Sequence, residues 1–567
     1  KSLYDTIITM PNHEELIDIL LKNRGIIDKN KFLNPKYEDL YDPYLLKDME
    51  IAVVRIFEAI EAKEKIIIYS DYDCDGIPSA VIMDDFFKKI GYENFSVYIP
   101  HRHDEGYGLH KEAIDGFIND GVNLLITFDL GITAINEVAQ AKAGGIDVII
   151  VDHHLPSSLG TPKAYAVIDP KQDDCKYPYK MLCGAGLAFK LIQALLLKYQ
   201  EYWKINEGWE KWLLDMAGIA TLSDQVPLLD ENRILAYYGL KVLKKTRRPG
   251  LVEIFRKASV DISKLNEEDI TFTLAPRLNA ASRMANPMDA FEVLATNDPV
   301  LAKTLSNHLV KINDERKQLV AHIMKEVKKT LSKRSLSQEE IPVIVIGNPK
   351  WRVGVLGIVA AKITEEYKRP VFVWGGDESD TLRGSCRSYG DINLVEIMNL
   401  LPEDSLLEFG GHKMAGGFSV SHEEIHFLEE RIVSIFPKIE KEGTEGRQET
   451  ELPIDSIIEI DDITNENYKV IEKLAPFGEG NPKPTFLIKK AKIYSIKEFG
   501  KEKNHLEIIF KNSRGSNVKA IAFFKTNESF NNYLETNKEI DLIVNFEKNT
   551  FAGRTELRLR IIDIIIK

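Results

Sequence analysis

The first half of the chain alternates short, uninterrupted apolar runs with longer stretches in which apolar residues recur every three or four positions. The runs are KIIIYS (65–70), NLLITF (123–128), DVIIVD (147–152) and AYAVID (164–169), and SAVIMDDFFKKIG (79–91) is typical of the stretches between them. A run apolar on both sides of the pleat predicts a strand covered on both faces, and helices between such runs predict parallel crossovers. The expected fold class is therefore α/β, with a parallel-sheet domain over 1–296. Residues 297–335 lack glycine, open on a single proline and keep helical spacing among many charges, which predicts one long connecting helix. IPVIVIG (341–347) begins a second, smaller α/β pattern over 336–440, rich in glycine. From 450 to 567 the period shortens to alternating strands in PTFLIKKAKIYSI, NHLEIIF, VKAIAFF, IDLIVNFEKN and ELRLRIIDIII, as expected of a small β-barrel of the OB type. EKEGTEGRQE (440–449) reads as a linker between the two.

A length of 567 residues suits three or four folded units. Without 18 consecutive apolar residues or a signal-type N-terminus, a membrane partner is not expected and the cytoplasm is the expected location. Four scattered cysteines, Cys74, Cys175, Cys183 and Cys386, show no zinc or disulfide spacing. The net charge of −13 disfavours a phosphate-rich partner on average, so any nucleic-acid groove has to be local.

Candidate chemistry gathers where the apolar runs end. YSDYDCDG (69–76) sets Asp71, Asp73 and Asp75 directly after one run. In extended backbone the three would point the same way, at the end of a parallel sheet where ligands bind. Asp129 ends the second run, and Asp152, His153 and His154 end the third. One acid at a strand end is commonly a helix cap. Acids at three buried strand ends suggest a cation that offsets their repulsion. Asp224, in ATLSDQVPL, could join them, and by itself an Asx-turn before Pro227 explains it equally well. Carboxylates with one or two imidazoles suit Mn²⁺ or Mg²⁺ better than Zn²⁺, and five carboxylates could hold two ions.

These residues resemble the DHH phosphoesterase superfamily, whose tripeptide stands here as Asp152, His153 and His154. DYDCDG and TFDLGI match its first two motifs. HRHDEGYGL (101–109), CGAGLAFKL (183–191), SDQVPL (223–228), LAPRLNAASR (274–283), WRVGVLGIVAAKI (351–363), RGSCRS (383–388), FGGHKMAGG (409–417) and LAPFGEGNPKPTF (474–486) are similar to its RecJ branch in order. The resemblance implies Asp73, Asp75, Asp129, His153 and Asp224 as metal ligands, with Asp71, Asp152 and His154 in supporting catalytic or phosphate-facing roles. It also implies a DHHA1 domain, a strand-binding OB-fold, and a 5′-to-3′ exonuclease that releases mononucleotides from single-stranded DNA in repair and recombination. Single-strand-binding protein and a helicase are the further partners it raises. Tyr69, Ser70, Gln225, Ser282 and Cys386 depart from the family's pattern.

On the substrate side, Arg102 and Tyr107 offer a phosphate fork and a stacking face. Ser385 and Arg387 with Gly410, Gly411 and His412 could form a terminal-phosphate pocket, although glycine clusters are also ordinary turns. Arg277, Asn279 and Arg283 could line the path of the strand or tie a hinge. Two rivals follow from the same fold: a phosphodiesterase of short oligoribonucleotides or cyclic dinucleotides, for which a barrel is superfluous, and a silent scaffold, which would lack the carboxylates.

Overall fold

The computed structural model describes residues 12–157, 159–334, 342–376, 381–442, 453–500, 503–530, 534–551 and 554–566. Most of the expected linker and the expected break at 335/336 lie outside them.

Five strands, β1 (Ile66–Ser70), β2 (Phe95–Tyr98), β3 (Leu124–Phe128), β4 (Asp147–Val151) and β5 (Ala166–Ile168), form a wholly parallel sheet in the order β2-β1-β3-β4-β5. Its apolar runs divide between two cores. Ile66, Ile68, Ile126, Phe128, Ile149 and Val151 face one, and Ile67, Tyr69, Leu125, Val148 and Ile150 face the other. Burial on both faces, worth about 1.5–3 kcal/mol for each such side chain, is why these runs are apolar at nearly every position, with buried Ser70 and Thr127 among the exceptions. The half-exposed β2 edge strand, FSVY, lacks such a run and is not apparent from the sequence pattern.

Helix α1 (Gly76–Ile90) follows β1 directly, and α2 (Gly184–Trp203) packs against it. Beyond them come α3 (Leu214–Ser223), α4 (Ala275–Met284) and the long α5 (Pro299–Lys333), which runs alongside α4. The second sheet joins β6 (Ile344–Gly347), β7 (Val371–Gly375), β8 (Leu382–Arg387), β9 (Glu408–His412) and β10 (Ala415–Val420) in the order β6-β7-β8-β10-β9. Helix α6 (Val353–Tyr367) lies on β7 and β8.

The last sheet contains β11 (Ser456–Ile458), β12 (Phe486–Phe499), β13 (His505–Lys511), β14 (Asn517–Ala522), β15 (Glu539–Phe551) and β16 (Arg554–Ile565). Pairing of β12 with β15 closes it into a ring, with β11 added along β12. Leu16, Ile17, Leu20, Leu21 and Phe32 belong to the barrel's own apolar core, although the sequence reading counts them with the first unit. Arg233 ties the junction, donating to the carbonyls of Phe32, Leu474 and Ala475. All four cysteines are free and buried. Among the described residues no helix is long and apolar enough to cross a membrane.

Candidate active site

The carboxylates converge, but not through the pleat of an extended strand. β1 ends at Ser70, and residues 71–75 form a tight turn in which Asp73 Oδ1 accepts from the amides of Asp75 and Gly76. The turn-and-cap reading of this stretch therefore holds, and the turn still brings its carboxylates together with Asp129 and His153. Gly76 is needed for the turn, because a Cβ there would lie 2.4 Å from the Asp71 carbonyl oxygen. Asp75 aims at the start of α2, where the amides of Gly184 and Ala185 donate to it at 2.6 and 2.7 Å. A helix N-terminus is a favourable place for a carboxylate.

Asp129 leaves β3 in the left-handed region at φ +62, its amide bonded to the Val151 carbonyl. Its Oδ1 lies 3.0 Å from His153 Nε2, which is also 3.6 Å from Asp75 and 3.9 Å from Asp224. Asp224 caps the end of α3, and the neighbouring Ser223 hydroxyl reaches the Cys74 carbonyl. Ligand-capable atoms group in three overlapping sets: Asp75, His153 and Asp224; Asp71, Asp73 and Asp129; Asp129, His153 and His154. Asp152 stands outside them, because its Oδ2 accepts from the Ile132 amide and its Oδ1 from the amides of His153 and His154 and from His154 Nδ1.

The electrostatics match this division. Burial and then the charge of Asp73 push Asp75 up to about 7, and burial with Asp75 and Asp73 pushes Asp224 up to about 8. Asp71 and Asp129 rise well above the usual carboxylate range for the same reasons. Burial also raises Asp152, but its hydrogen bond and charge contact with His154 outweigh this and leave it below its ordinary value. Burial would lower His154, yet Asp152 lifts it to about 9, while burial and the charge of His154 drop His153 to about 3. His153 is thus a neutral imidazole among crowded acids, the state a metal ligand requires. Asp71 Oδ1 is buried without a hydrogen-bond partner. A divalent cation would satisfy these groups, so the donor set fits one.

Substrate-side residues cluster nearby. Tyr107, 51% exposed, donates its hydroxyl to the Asp129 carbonyl and leaves a ring face open. Tyr69, one of the departures from the family pattern, secures the same loop through the Gly108 carbonyl. Arg102 lies over the Tyr72 ring. The two domains meet here directly, Arg383 donating to the His103 carbonyl and Arg283 to the Gly354 carbonyl. Gly354 allows this approach, since a Cβ there would stand 2.3 Å from the Arg283 carbonyl oxygen. Arg387 sits against Ser385 and α6, its basicity lowered by burial and also by the charge of Arg102.

In register, Arg387, Ala415 and His412 form one row, and Ser385, Gly417 and Gly410 another, all on one face of the second sheet. Gly411 belongs to the opposite face with Cys386, where its φ of +141 and a 2.4 Å approach to the Ala415 carbonyl oxygen explain the glycine. Arg277 and Asn279 lie on α4, each with a buried polar atom lacking a partner. Arg316 of α5 shares this situation. Sequence reasoning misses it, because KINDERKQ resembles any solvated helix face.

A parallel sheet whose strand ends gather carboxylates and histidines, in contact with a domain built on an arginine-bearing second sheet, defines a metal-dependent phosphoesterase of the DHH class. The DHH family N-terminal domain matches residues 65–221, the DHHA1 domain 340–437 and the RecJ OB domain 454–563. The chain is 37% identical over 530 residues to the single-stranded-DNA-specific exonuclease RecJ of Bacillus subtilis (strain 168), covering 93% of this chain and 64%, just under two thirds, of that protein. To the RecJ exonuclease of Haemophilus influenzae Rd it is 30% identical over 562 residues, covering 97% of this chain and 96% of that one. The crystal structure of RecJ in complex with Mn²⁺ from Thermus thermophilus matches with a TM-score of 0.79 and 25% identity, covering 97% of this chain and 76% of the other. This chain belongs to the RecJ family.

Proposed function

We propose that the protein is a metal-dependent exonuclease that degrades single-stranded DNA from the 5′ end to 5′-mononucleotides. The observation that carries this reading is that Arg102, lying over Tyr72 beside the carboxylate cluster, is near enough to lower the basicity of Arg387, which hydrogen-bonds Ser385 on the second sheet. Asp73, Asp75, Asp129, His153 and Asp224 are the residues that would hold Mn²⁺ or Mg²⁺. Two such ions, when bound, acidify a water and offset charge on the leaving oxygen.

The protein's own groups do the remainder. Arg102, Ser385 and Arg387 grip the terminal phosphate, so that a single linkage reaches the cluster. Asp152 holds His154 protonated, where it can donate to a phosphate oxygen, and Tyr107 stacks on a base near the end. The functional units are 1–296 as the DHH catalytic domain, 297–335 as the connecting helix, 336–440 as the DHHA1 domain and 450–567 as the strand-binding barrel, with the packing of Leu16 and Phe32 tying the N-terminal segment to the last. Repair and recombination in the cytoplasm, alongside single-strand-binding protein and a helicase, is the setting that follows from this activity.

Replacement of Arg387 by Ala tests the grip. It removes a charge-assisted contact of about 1.5–3 kcal/mol, so kcat/KM falls roughly ten-fold to a hundred-fold on 5′-phosphorylated strands and less on 5′-hydroxyl strands. Equal impairment on both ends would refute the assignment.

A further inference from the structure

Two carboxylates of the cluster are fixed by hydrogen bonds. Asp73 is held by the amides of its own turn, and Asp75 by the amides that open α2. Asp224 is different. Among the described residues no hydrogen bond reaches its carboxylate, and its approach to His153 is a loose 3.9 Å. Where Asp224 stands is therefore decided by its backbone.

That backbone is tied on both sides. Before it, the Ser223 hydroxyl bonds to the Cys74 carbonyl in the turn that carries Asp73 and Asp75. After it, Gln225 reverses the chain in the left-handed region at φ +58, which costs a non-glycine residue about 1–3 kcal/mol and persists only where neighbours impose it. Those neighbours come from the barrel. The Leu228 amide donates to the Glu479 carbonyl at 2.7 Å, and a Cβ on Gly478 would stand 2.8 Å from Leu228 Cδ1. The barrel's side of this contact is stiff: Gly478 and Asn481 exchange amide hydrogen bonds across a tight turn, and the buried Asn481 side chain donates to the Leu474 and Pro476 carbonyls. The other side has room to shift, because a cavity of about 380 Å³, lined by Gln225, Val226, Phe272 and Phe477 among others, flanks the reversal. A stiff turn pressed on a loop with space beside it sets where the loop rests.

We propose that the barrel turn at 478–481 positions the metal ligand Asp224 through Leu228, so that the barrel is part of the metal centre's scaffold as well as a surface for the strand. The proposal rests on the reading above that Asp224 is a metal ligand, and it adds which distant residues hold that ligand in place. Residues that orient a ligand without touching the metal change its affinity by roughly ten-fold to a hundred-fold.

Calorimetric titration of the full chain with Mn²⁺, in the absence of DNA, tests it. Gly478 is exposed, so Gly478→Val leaves the barrel core intact and presses on Leu228. It should weaken Mn²⁺ binding roughly ten-fold to a hundred-fold. Leu228→Ala, which withdraws the contact instead of pressing on it, should reproduce the loss. In an Asp224→Asn chain, already weaker for Mn²⁺, Gly478→Val should change nothing further, because the ligand it acts through is gone. Phe510→Leu, within the barrel core, should lower the melting temperature and leave Mn²⁺ affinity at the wild-type value. Wild-type affinity in Gly478→Val or Leu228→Ala would overturn the proposal. So would an equal fall in Phe510→Leu, or a Gly478→Val penalty that persists in the Asp224→Asn chain. Wild-type affinity in Asp224→Asn alone would sink the assignment of Asp224 as a ligand, an outcome separate from these.

Discussion

Raising the pH of the metal-free protein should destabilise it, and the structure gives the direction. Asp75 and Asp224 titrate near 7 and 8 in the fold, against an ordinary value of 3.8, so the folded chain binds their protons more tightly than the unfolded chain. Their stabilising protons are lost as pH rises through those values. His154 acts the same way above its ordinary 6.5, since its folded value is about 9. His153, held down to about 3, acts oppositely, but only below 6.5. Between pH 6.5 and 8 all the signs agree. At about 1.36 kcal/mol per pH unit for each group that retains its proton, Asp75 accounts for ~0.7, Asp224 for ~2 and His154 for ~2 kcal/mol over that window. The sum, ~5 kcal/mol, is a ceiling, because the carboxylates share one repulsion. Thermal melts in EDTA should therefore fall by several degrees from pH 6.5 to 8. With Mn²⁺ the loss should disappear, since a cation competes with protons for the same oxygens and stabilises more as pH rises. A metal-free melting temperature that is flat or rising across this window, with Mn²⁺ stabilisation independent of pH, would refute the reasoning.

Other perturbations separate chemistry from scaffold. Asp129→Ala and His153→Ala should each abolish hydrolysis while circular dichroism and metal-free melting stay close to wild type; a loss of only a few-fold at saturating Mn²⁺ would contradict their assignment as ligands. Gly184→Ala should cost about a hundred-fold in kcat, because its Cβ would lie 2.8 Å from Asp129 Cβ and displace a ligand by a fraction of an ångström or more; steady-state kinetics matching wild type would show that Asp129 can shift freely. Arg233→Ala strips its donor from the Phe32 and Ala475 carbonyls, while Leu474 keeps Asn481, at about 1–3 kcal/mol for each carbonyl left unpaired, so calorimetry should resolve an earlier unfolding transition for the barrel. A single unshifted transition would mean that the barrel is held elsewhere.

The strand ends are legible in the sequence because their signal is local: a run buried on both faces, followed at once by an acid. Asp129 and Asp152 show this most clearly, and their different roles come from partners the sequence does not place beside them. Asp152 is saturated by the Ile132 amide and His154, whereas Asp129 faces His153. The turn at 71–75 reads as extended from sequence, because alternate acids fit a strand as well as an Asx-type turn. Asp224 is ambiguous for a similar reason, as a helix end needs a polar residue whether or not a metal lies nearby. Long-range packing is out of reach. Nothing in HEELIDILLKN announces that Leu16 and Leu20 complete a barrel formed at the far end of the chain, and nothing in α5 separates Arg316 from its solvated neighbours until α4 is laid against it.

The central claim is that the end of the strand is anchored by its 5′ phosphate at a fixed reach from the metal cluster. Incubating the full chain and Mn²⁺ with single-stranded oligodeoxynucleotides labelled at either end tests it most directly. A 5′ label should be released at once as a mononucleotide, and a 3′ label should pass through a ladder of shortening strands. Immediate release of a 3′-terminal mononucleotide, or internal cuts without end dependence, would contradict the account.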